Sequence, residues 1–286
     1  MNRRLAILAA LLALLLTGMQ AQGSAAEGIL LLGTDSIGYR EITGQEELSR
    51  ADAIFILYAP DDGGNLRILS IERDYLVDLP KGHGLNKLST ATYFGGPEMA
   101  LQAVNTLFDL NLKHYLQIDI PGTVQAIDAM GGVDVMVYEE ELAVVNASPI
   151  IEPKIGAGIN HFNGKKAQAF MRVRDLNEQI VDSNSARNNR QIRVLTAIME
   201  KSRTLGFRQA GRLALEVLPL MNTNMSLYDL LMFARPALAA DLAGDSMEYR
   251  KSPMSAYRTR RANLHLVVIA EDMAEEIRLV HQFLNE

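Results

Sequence analysis

The chain of 286 residues contains no cysteine. That excludes a disulfide framework, a zinc-thiolate centre and a thiol nucleophile. No Gly-x-Ser-x-Gly elbow and no Walker-type loop occurs. Serine hydrolases of the α/β type and P-loop nucleotide enzymes therefore drop out. The five histidines, His83, His114, His161, His265 and His281, are isolated and lack metal-ligand spacing. Excess positive charge is missing too: the formal net charge is -6. Nucleic-acid binding needs the opposite balance, and no helix-turn-helix signature is present, so no nucleic-acid partner is expected.

The chain has hydrophobic residues in abundance, 48% of the total, enough for one large domain or two small ones. Residues 1–26 stand apart. Arg3 and Arg4 precede an apolar run from Leu5 to Leu16, followed by small residues from Gly23 to Ala26. Basic, apolar, small is the order of a secretory signal. The run falls short of the ~20 residues of a spanning helix. A cleaved signal peptide or a short membrane anchor is expected, and either exports the rest. Without this segment the net charge moves from -6 to -8, because it holds two arginines and no acid.

Strands and helices alternate from there. Gly28 to Gly33 and Ala53 to Tyr58 read as strands apolar on both faces, as in a sheet covered on both sides. Asp61 to Asn65 reads as a turn, with Leu66 to Ile71 as the returning strand of a hairpin. Pro97 to Phe108 and Pro121 to Met130 are predicted helices, each opened by a proline where its missing N–H costs nothing. Tyr115 to Ile118, Asp134 to Val137 and Leu264 to Ile269 are predicted strands. Gly164 to Phe170 is a short helix running into Met171 to Arg174. Asp175 to Asn184 reads as a loop, and Ser185 to Arg203 as a long helix with Ile192, Leu195, Ile198 and Met199 on one side. Helices at Gln209 to Leu220, Leu227 to Asp241 (capped by Ser226) and Glu271 to Leu284 complete the chain. With no linker visible, the pattern implies one α/β domain with helices on both faces.

Charged residues cluster at the edges of these core elements, where soluble domains more often keep charge on outer faces. Asp35 follows the first strand, at the kind of strand end where α/β sheets bind ligands; shaping a turn is the plainer reading. Arg50 and Asp52 lead into the second strand and share a face if extended. They suit a metal-bound carboxylate with a guanidinium beside it, or a surface ion pair. Arg73 and Asp74 end the return strand, and the hairpin brings Arg73 towards Asp52. Arg172 and Arg174 share a face if extended. Arg187 and Arg190, at i and i+3, share a face near the start of the long helix, where the dipole favours anions. Like charges so close call for an anionic partner, and guanidiniums clamp phosphate oxygens bidentately. The competing reading is a solvated basic face.

These pieces resemble the LytR-CpsA-Psr family over about Gly28 to Lys201. The resemblance rests on Ile29-Leu30-Leu31-Leu32-Gly33-Thr34-Asp35, Arg50-Ala51-Asp52, Leu69-Ser70-Ile71-Glu72-Arg73-Asp74 and Lys87-Leu88-Ser89. It continues through Gly95-Gly96-Pro97-Glu98, Ile127-Asp128-Ala129-Met130-Gly131-Gly132-Val133, Phe162-Asn163-Gly164-Lys165-Lys166-Ala167, Arg172-Val173-Arg174 and Arg187-Asn188-Asn189-Arg190-Gln191. The order and separations make the set specific. The resemblance implies an α-β-α sandwich with a central mixed sheet. Residues 27–204 would be the catalytic core, and 205–286 would complete the same domain.

It also implies a phosphotransferase that moves a glycopolymer phosphate from a polyprenyl-pyrophosphate carrier to a peptidoglycan hydroxyl, on the extracytoplasmic side of the membrane. The membrane surface would be reached through the lipid substrate. Asp35 and Asp52 would hold Mg²⁺ or Mn²⁺. Arg73, Arg172, Arg174, Arg187 and Arg190 would bind the pyrophosphate, with Gln191 nearby and Arg50, Asp74 and Lys87 as secondary site residues. Asp35, Asp52 and Asp74 are candidate bases. Hydrolysis of the same carrier, or binding of it without turnover, are alternatives. Glu72 replaces the family's usual proline before Arg73, Ser89 a usual asparagine, and Asn184 a usual aspartate.

Overall fold

A computed structural model of the chain describes residues 27–35, 49–60, 65–173, 180–205, 207–226, 229–230, 247–262 and 265–285. The signal-like segment, the tip of the first hairpin and most of the helix expected from Leu227 lie outside them. Twelve strands are described: β1 (Glu27–Thr34), β2 (Ala51–Ala59), β3 (Leu66–Ile71), β4 (Leu76–Leu79), β5 (Gly84–Lys87), β6 (His114–Asp119), β7 (Val133–Val137), β8 (Gly158–Phe162), β9 (Met221–Thr223), β10 (Met247–Ser252), β11 (Tyr257–Ala262) and β12 (His265–Ala270). The helices are α1 (Ala91–Phe108), α2 (Ile120–Ala129), α3 (Leu142–Asn146), α4 (Gly164–Arg172), α5 (Ile180–Thr204), α6 (Phe207–Val217) and α7 (Met273–Asn285). Among the described residues no helix is long and apolar enough to cross a membrane.

The main sheet has six strands in the order β10-β3-β2-β1-β6-β9. It is mixed: β1, β2 and β3 pair antiparallel, and β10 adds parallel to β3. Three two-stranded sheets, β4-β5, β7-β8 and β11-β12, accompany it. The α/β fold with a mixed central sheet is thus the one expected.

The chain divides into two compact units, Met1–Gln117 with Asn222–Glu286, and Ile118–Met221. In the first, Leu30, Leu32, Ile54, Ile56, Leu69 and Ile71 project from one sheet face into a core with Ala100, Ala103, Val104 and Phe108 of α1 and Val280, Phe283 and Leu284 of α7. Ile29, Phe55 and Ile68 alternate with them and are also buried. Burial on both faces is why β1 to β3 read as unbroken apolar runs. In the second unit, Val133, Val135 and Val137 of β7 pack with Phe162, Phe170, Val194 and Ala197. Gly164 opens α4 at a point of backbone contact: a Cβ there would lie 2.2 Å from the Val124 carbonyl oxygen of α2.

Several boundaries differ from expectation. The helix expected at Pro97 is preceded by a short turn from Ala91, and the two parts meet at Gly95 and Gly96, both non-helical, so the helix proper does restart at Pro97. The long helix begins at Ile180, inside the stretch expected to be a loop. Strands β4, β5, β8, β9, β10 and β11 were not expected, because their sequences are short, polar or rich in glycine.

Candidate functional site

In the first unit, antiparallel pairing decides which charges meet. The end of β1 lies beside the start of β2, with Thr34 opposite Ala51 and Gly33 opposite Ala53. Asp52 is the extra residue in this bulge, a device that re-aims a side chain at a sheet end. Asp35 follows Thr34 directly and is half-buried. Pairing of β2 with β3 brings the end of β3 to the same place. Arg73, two residues beyond β3, donates through Nη1 to Asp52 Oδ1. Its Nε is buried and has no hydrogen bond among the described residues; it lies 3.9 Å from Asp74 Oδ2. Asp74 is buried, and its Oδ1 accepts from Lys87 Nζ at the end of β5, at 2.8 Å. Asp52, Arg73, Asp74 and Lys87 thus form a row of alternating charge.

Backbone bonds hold this row in place. Ser89 N–H donates to the Arg73 carbonyl (2.9 Å), Leu88 N–H to Tyr75 (2.8 Å), and Val268 N–H of β12 to Asp74 (2.9 Å). Glu72 does not oppose the arginine. Its Oε2 lies 3.2 Å from Lys251 Nζ of β10, and its N–H donates to the Ser252 carbonyl at 3.0 Å. Arg50 is exposed, just ahead of β2.

In the second unit, Arg172 is the last residue of α4 and is exposed, with Val173 extended behind it (φ -55°, ψ 134°). The two-arginine extended pair is corrected here: Arg172 is helical, and Arg174 lies outside the described residues. Arg172 sits in the last turn of α4, where the helix dipole favours a cation. Arg187 and Arg190 are both buried on α5, but the helix starts seven residues before Arg187. At 1.5 Å per residue that is about 10 Å, beyond the first turn where the dipole and free N–H groups act. The expected help from the helix terminus is therefore absent.

The anionic neighbour that spacing called for includes one from the protein. Glu141, buried at 8% exposure, accepts from Arg190 Nε at 2.8 Å and from Arg193 Nη1 and Nη2 at 2.5 and 2.8 Å. Its other donor is the Tyr138 N–H at 3.0 Å. Burial pushes the Glu141 carboxyl up, but Arg193, the Tyr138 amide and Arg190 together outweigh it and hold the group below its usual range. Arg190 also donates to the Val173 carbonyl at 2.9 Å, so it fixes the turn that carries Arg172. The Arg193 guanidinium lies 4.6 Å from the Tyr138 ring centre and 5.0 Å from that of Phe170. Glu141 and Arg193 escaped sequence reasoning; the Arg187, Arg190, Arg193 spacing was the one available signal. Gln191 sits on α5, partly exposed. A cavity of about 420 Å³ opens beside Arg172, lined by Val144, Ala147, Ile150, Ala169 and Val173.

Asp35 and Asp52 are the two acids at the adjoining ends of β1 and β2. No cluster of three or more metal-ligating side chains occurs among the described residues. Two carboxylates at adjoining strand ends still fit Mg²⁺, which keeps several waters and takes phosphate oxygens as further ligands.

Known proteins resemble the chain at both levels. Over 153 residues it is 33% identical to a probable cell wall biosynthesis protein, LcpB, of Corynebacterium glutamicum, covering 54% of this chain and 33% of the relative. Over 228 residues it is 31% identical to a polyisoprenyl-teichoic acid–peptidoglycan teichoic acid transferase, TagU, of Oceanobacillus iheyensis, covering 77% of this chain and 63% of the relative. The chain therefore spans less than two thirds of the length of either. The crystal structure of Bacillus subtilis TagT superposes with a TM-score of 0.71 at 20% identity, over 94% of this chain and 95% of that one. A structure of TagT with bound octaprenyl pyrophosphate lipid gives 0.69 at 19% identity, over 94% and 95%. These likenesses establish a shared fold. The LytR_cpsA_psr family model matches residues 17–273, and the chain belongs to that family.

Proposed function

We propose that the chain transfers a glycopolymer phosphate from a polyprenyl-pyrophosphate carrier to a cell-wall hydroxyl, with Mg²⁺ held by Asp35 and Asp52. The observation that carries this is Asp52 in the β1–β2 bulge, bonded to Arg73, with Asp35 one residue beyond the paired Thr34. The TagU relative is named for that kind of transfer, and the TagT structure holds a lipid of the carrier's class. The reaction takes place at the outer surface of the cytoplasmic membrane or in the wall.

The transfer replaces a phosphoanhydride bond of the pyrophosphate by a phosphoester bond to the acceptor. The acceptor oxygen bonds to the polymer-bearing phosphorus, the bond to the polyprenyl-phosphate oxygen breaks, and a carboxylate takes the hydroxyl proton. When bound, Mg²⁺ would neutralise charge on the pyrophosphate oxygens. Arg73 donates to the same oxygens from a position preset by Asp52, Ser89 and Asp74. Preorganised donors of this kind stabilise developing charge without reorganising. Arg172 offers an exposed guanidinium, and Arg174, Arg187, Arg190 and Gln191 join the substrate-binding residues by the family resemblance. Lys87 keeps Asp74 from facing the substrate as an unpaired negative charge.

The test is product analysis with a short-chain polyprenyl-pyrophosphate sugar, Mg²⁺ and peptidoglycan fragments. Sugar phosphate linked to the fragment is expected. Free sugar phosphate would make the protein a hydrolase, and no turnover a binder. Asp52→Ala and Arg172→Ala should each abolish turnover while leaving the circular dichroism spectrum intact, and wild-type rates in either would refute the site. Activity should vanish with chelator and return with Mg²⁺ or Mn²⁺.

A further inference from the structure

The strongest charged feature outside this site is β11, whose sequence is Tyr-Arg-Thr-Arg-Arg-Ala. Tyr257 to Arg261 are all exposed. Among the described residues the strand pairs only with β12, which leaves its outer edge without a strand partner there. Among the described residues, Arg258, Arg260 and Arg261 have no hydrogen bond or ion pair through their side chains. Three unneutralised guanidiniums within four residues are conspicuous in a chain of net charge -6. Edge strands do use charge to avoid aggregation, usually lysine. That purpose needs no run of arginines, whose planar forks match phosphate oxygens better than an ammonium does.

The place of the strand gives it meaning. Val268 of β12 lies opposite Thr259, and its N–H donates to the Asp74 carbonyl, directly after Arg73. One strand separates β11 from the Arg73–Asp74 segment, so at about 4.8 Å per strand Thr259 is roughly 10 Å from it. Arg258 and Arg260 share one face about 7 Å apart, with Arg261 on the other. The charges thus flank the exposed strand on both faces, one strand away from the Arg73–Asp74 backbone.

We propose that Arg258, Arg260 and Arg261 of β11 form a track for the phosphodiester backbone of a polyanionic glycopolymer, the portion of the substrate distal to its pyrophosphate. This rests on the transfer reading above and adds to it a second contact for the substrate, away from the pyrophosphate. A membrane surface is the less fitting partner. Interfacial binding draws on buried apolar area as well as charge, and between Arg258 and Arg261 the strand offers no aliphatic side chain.

The test titrates the full chain with a synthetic oligo(glycerol phosphate) at salt concentrations between ~50 and ~200 mM. The variant with Arg258→Ser, Arg260→Ser and Arg261→Ser should bind about tenfold more weakly at low salt, with a salt slope shallower by about 2 to 3. A triple lysine variant should regain the slope. Equal affinity and slope in wild type and the serine variant would overturn the proposal. So would loss of binding to phosphatidylglycerol vesicles with oligomer binding unchanged, which would make β11 a membrane contact. Wild-type turnover of a carrier bearing a single sugar is measured separately. Oligomer binding that depends on the arginines, in a protein that turns nothing over, would support the track and refute the transfer reading.

Discussion

Replacing Glu141 by glutamine should unfold the second unit more readily than any change to an exposed acid. The carboxylate accepts from two guanidiniums and one backbone amide. The side chains of Arg190 and Arg193 are 5% and 16% exposed, so water cannot replace the lost charge. Glutamine keeps the shape but turns an NH₂ donor towards groups that are themselves donors. Breaking a buried pair by removing one partner costs about 3–5 kcal/mol. With a urea m-value of about 2.5 kcal/mol/M, a loss of ~4 kcal/mol lowers the midpoint by about 1.6 M.

The chain has no tryptophan, so the transition is followed by circular dichroism at pH 7. The pH dependence gives a second check. A carboxyl held below its ordinary value stabilises the fold above the unfolded value of 4.5, and that contribution disappears as pH falls through the folded value. The gap between wild type and Glu141→Gln should be full at neutral pH and close under acid conditions. A midpoint drop below ~0.4 M, about 1 kcal/mol, would refute the claim that Glu141 anchors the two arginines.

Gly164→Ala should cost about 3 kcal/mol, because the new Cβ would meet Val124 backbone at 2.2 Å and no side chain can yield; an unchanged melting temperature would count against the observed contact of α2 with α4. Glu276, fully buried, accepts from Ser252 Oγ and from the Met254 and Ser255 amides. Glu276→Ala leaves these donors unsatisfied and should lose about 3 kcal/mol, read as earlier urea unfolding and faster proteolysis after β10. Glu72→Ala, by contrast, removes a part-exposed partner of Lys251 and should shift stability by less than ~1 kcal/mol; a larger loss would mean that the pair matters to the Arg73 segment.

The charged residues differ in how far sequence could place them. Asp52 and Arg73 are a case where topology suffices. In any antiparallel hairpin the start of the first strand and the end of the second lie at one end, so an acid opening β2 and an arginine closing β3 must be neighbours. Asp35 joins them because β1 also runs antiparallel to β2. Arg190 is the opposite case. Its partner lies 49 positions away, in a run of three glutamates that reads as a solvated charge cluster. Only the turn at Tyr138, whose N–H donates to Glu141, aims that one carboxylate inwards. The early start of α5 was hidden for a related reason: its first residues are mostly polar, and polarity without period reads as loop.

The same contrast bears on how much positive charge a substrate would meet. Counting arginines in the sequence treats each as equally available. Arg190 already spends Nε on Glu141 and Nη1 on Val173, and desolvation makes releasing either costly. What it could offer a ligand is Nη2 and the second N–H of Nη1. Arg172 is exposed, and its backbone turn is the one Arg190 ties down. A buried guanidinium with a protein carboxylate thus positions an exposed one, and sequence spacing alone cannot tell the two roles apart. Arg190→Lys would keep the charge but lose the fork that joins Glu141 to Val173. It should therefore lower kcat through a displaced Arg172, while a variant that merely lost binding charge would raise KM instead.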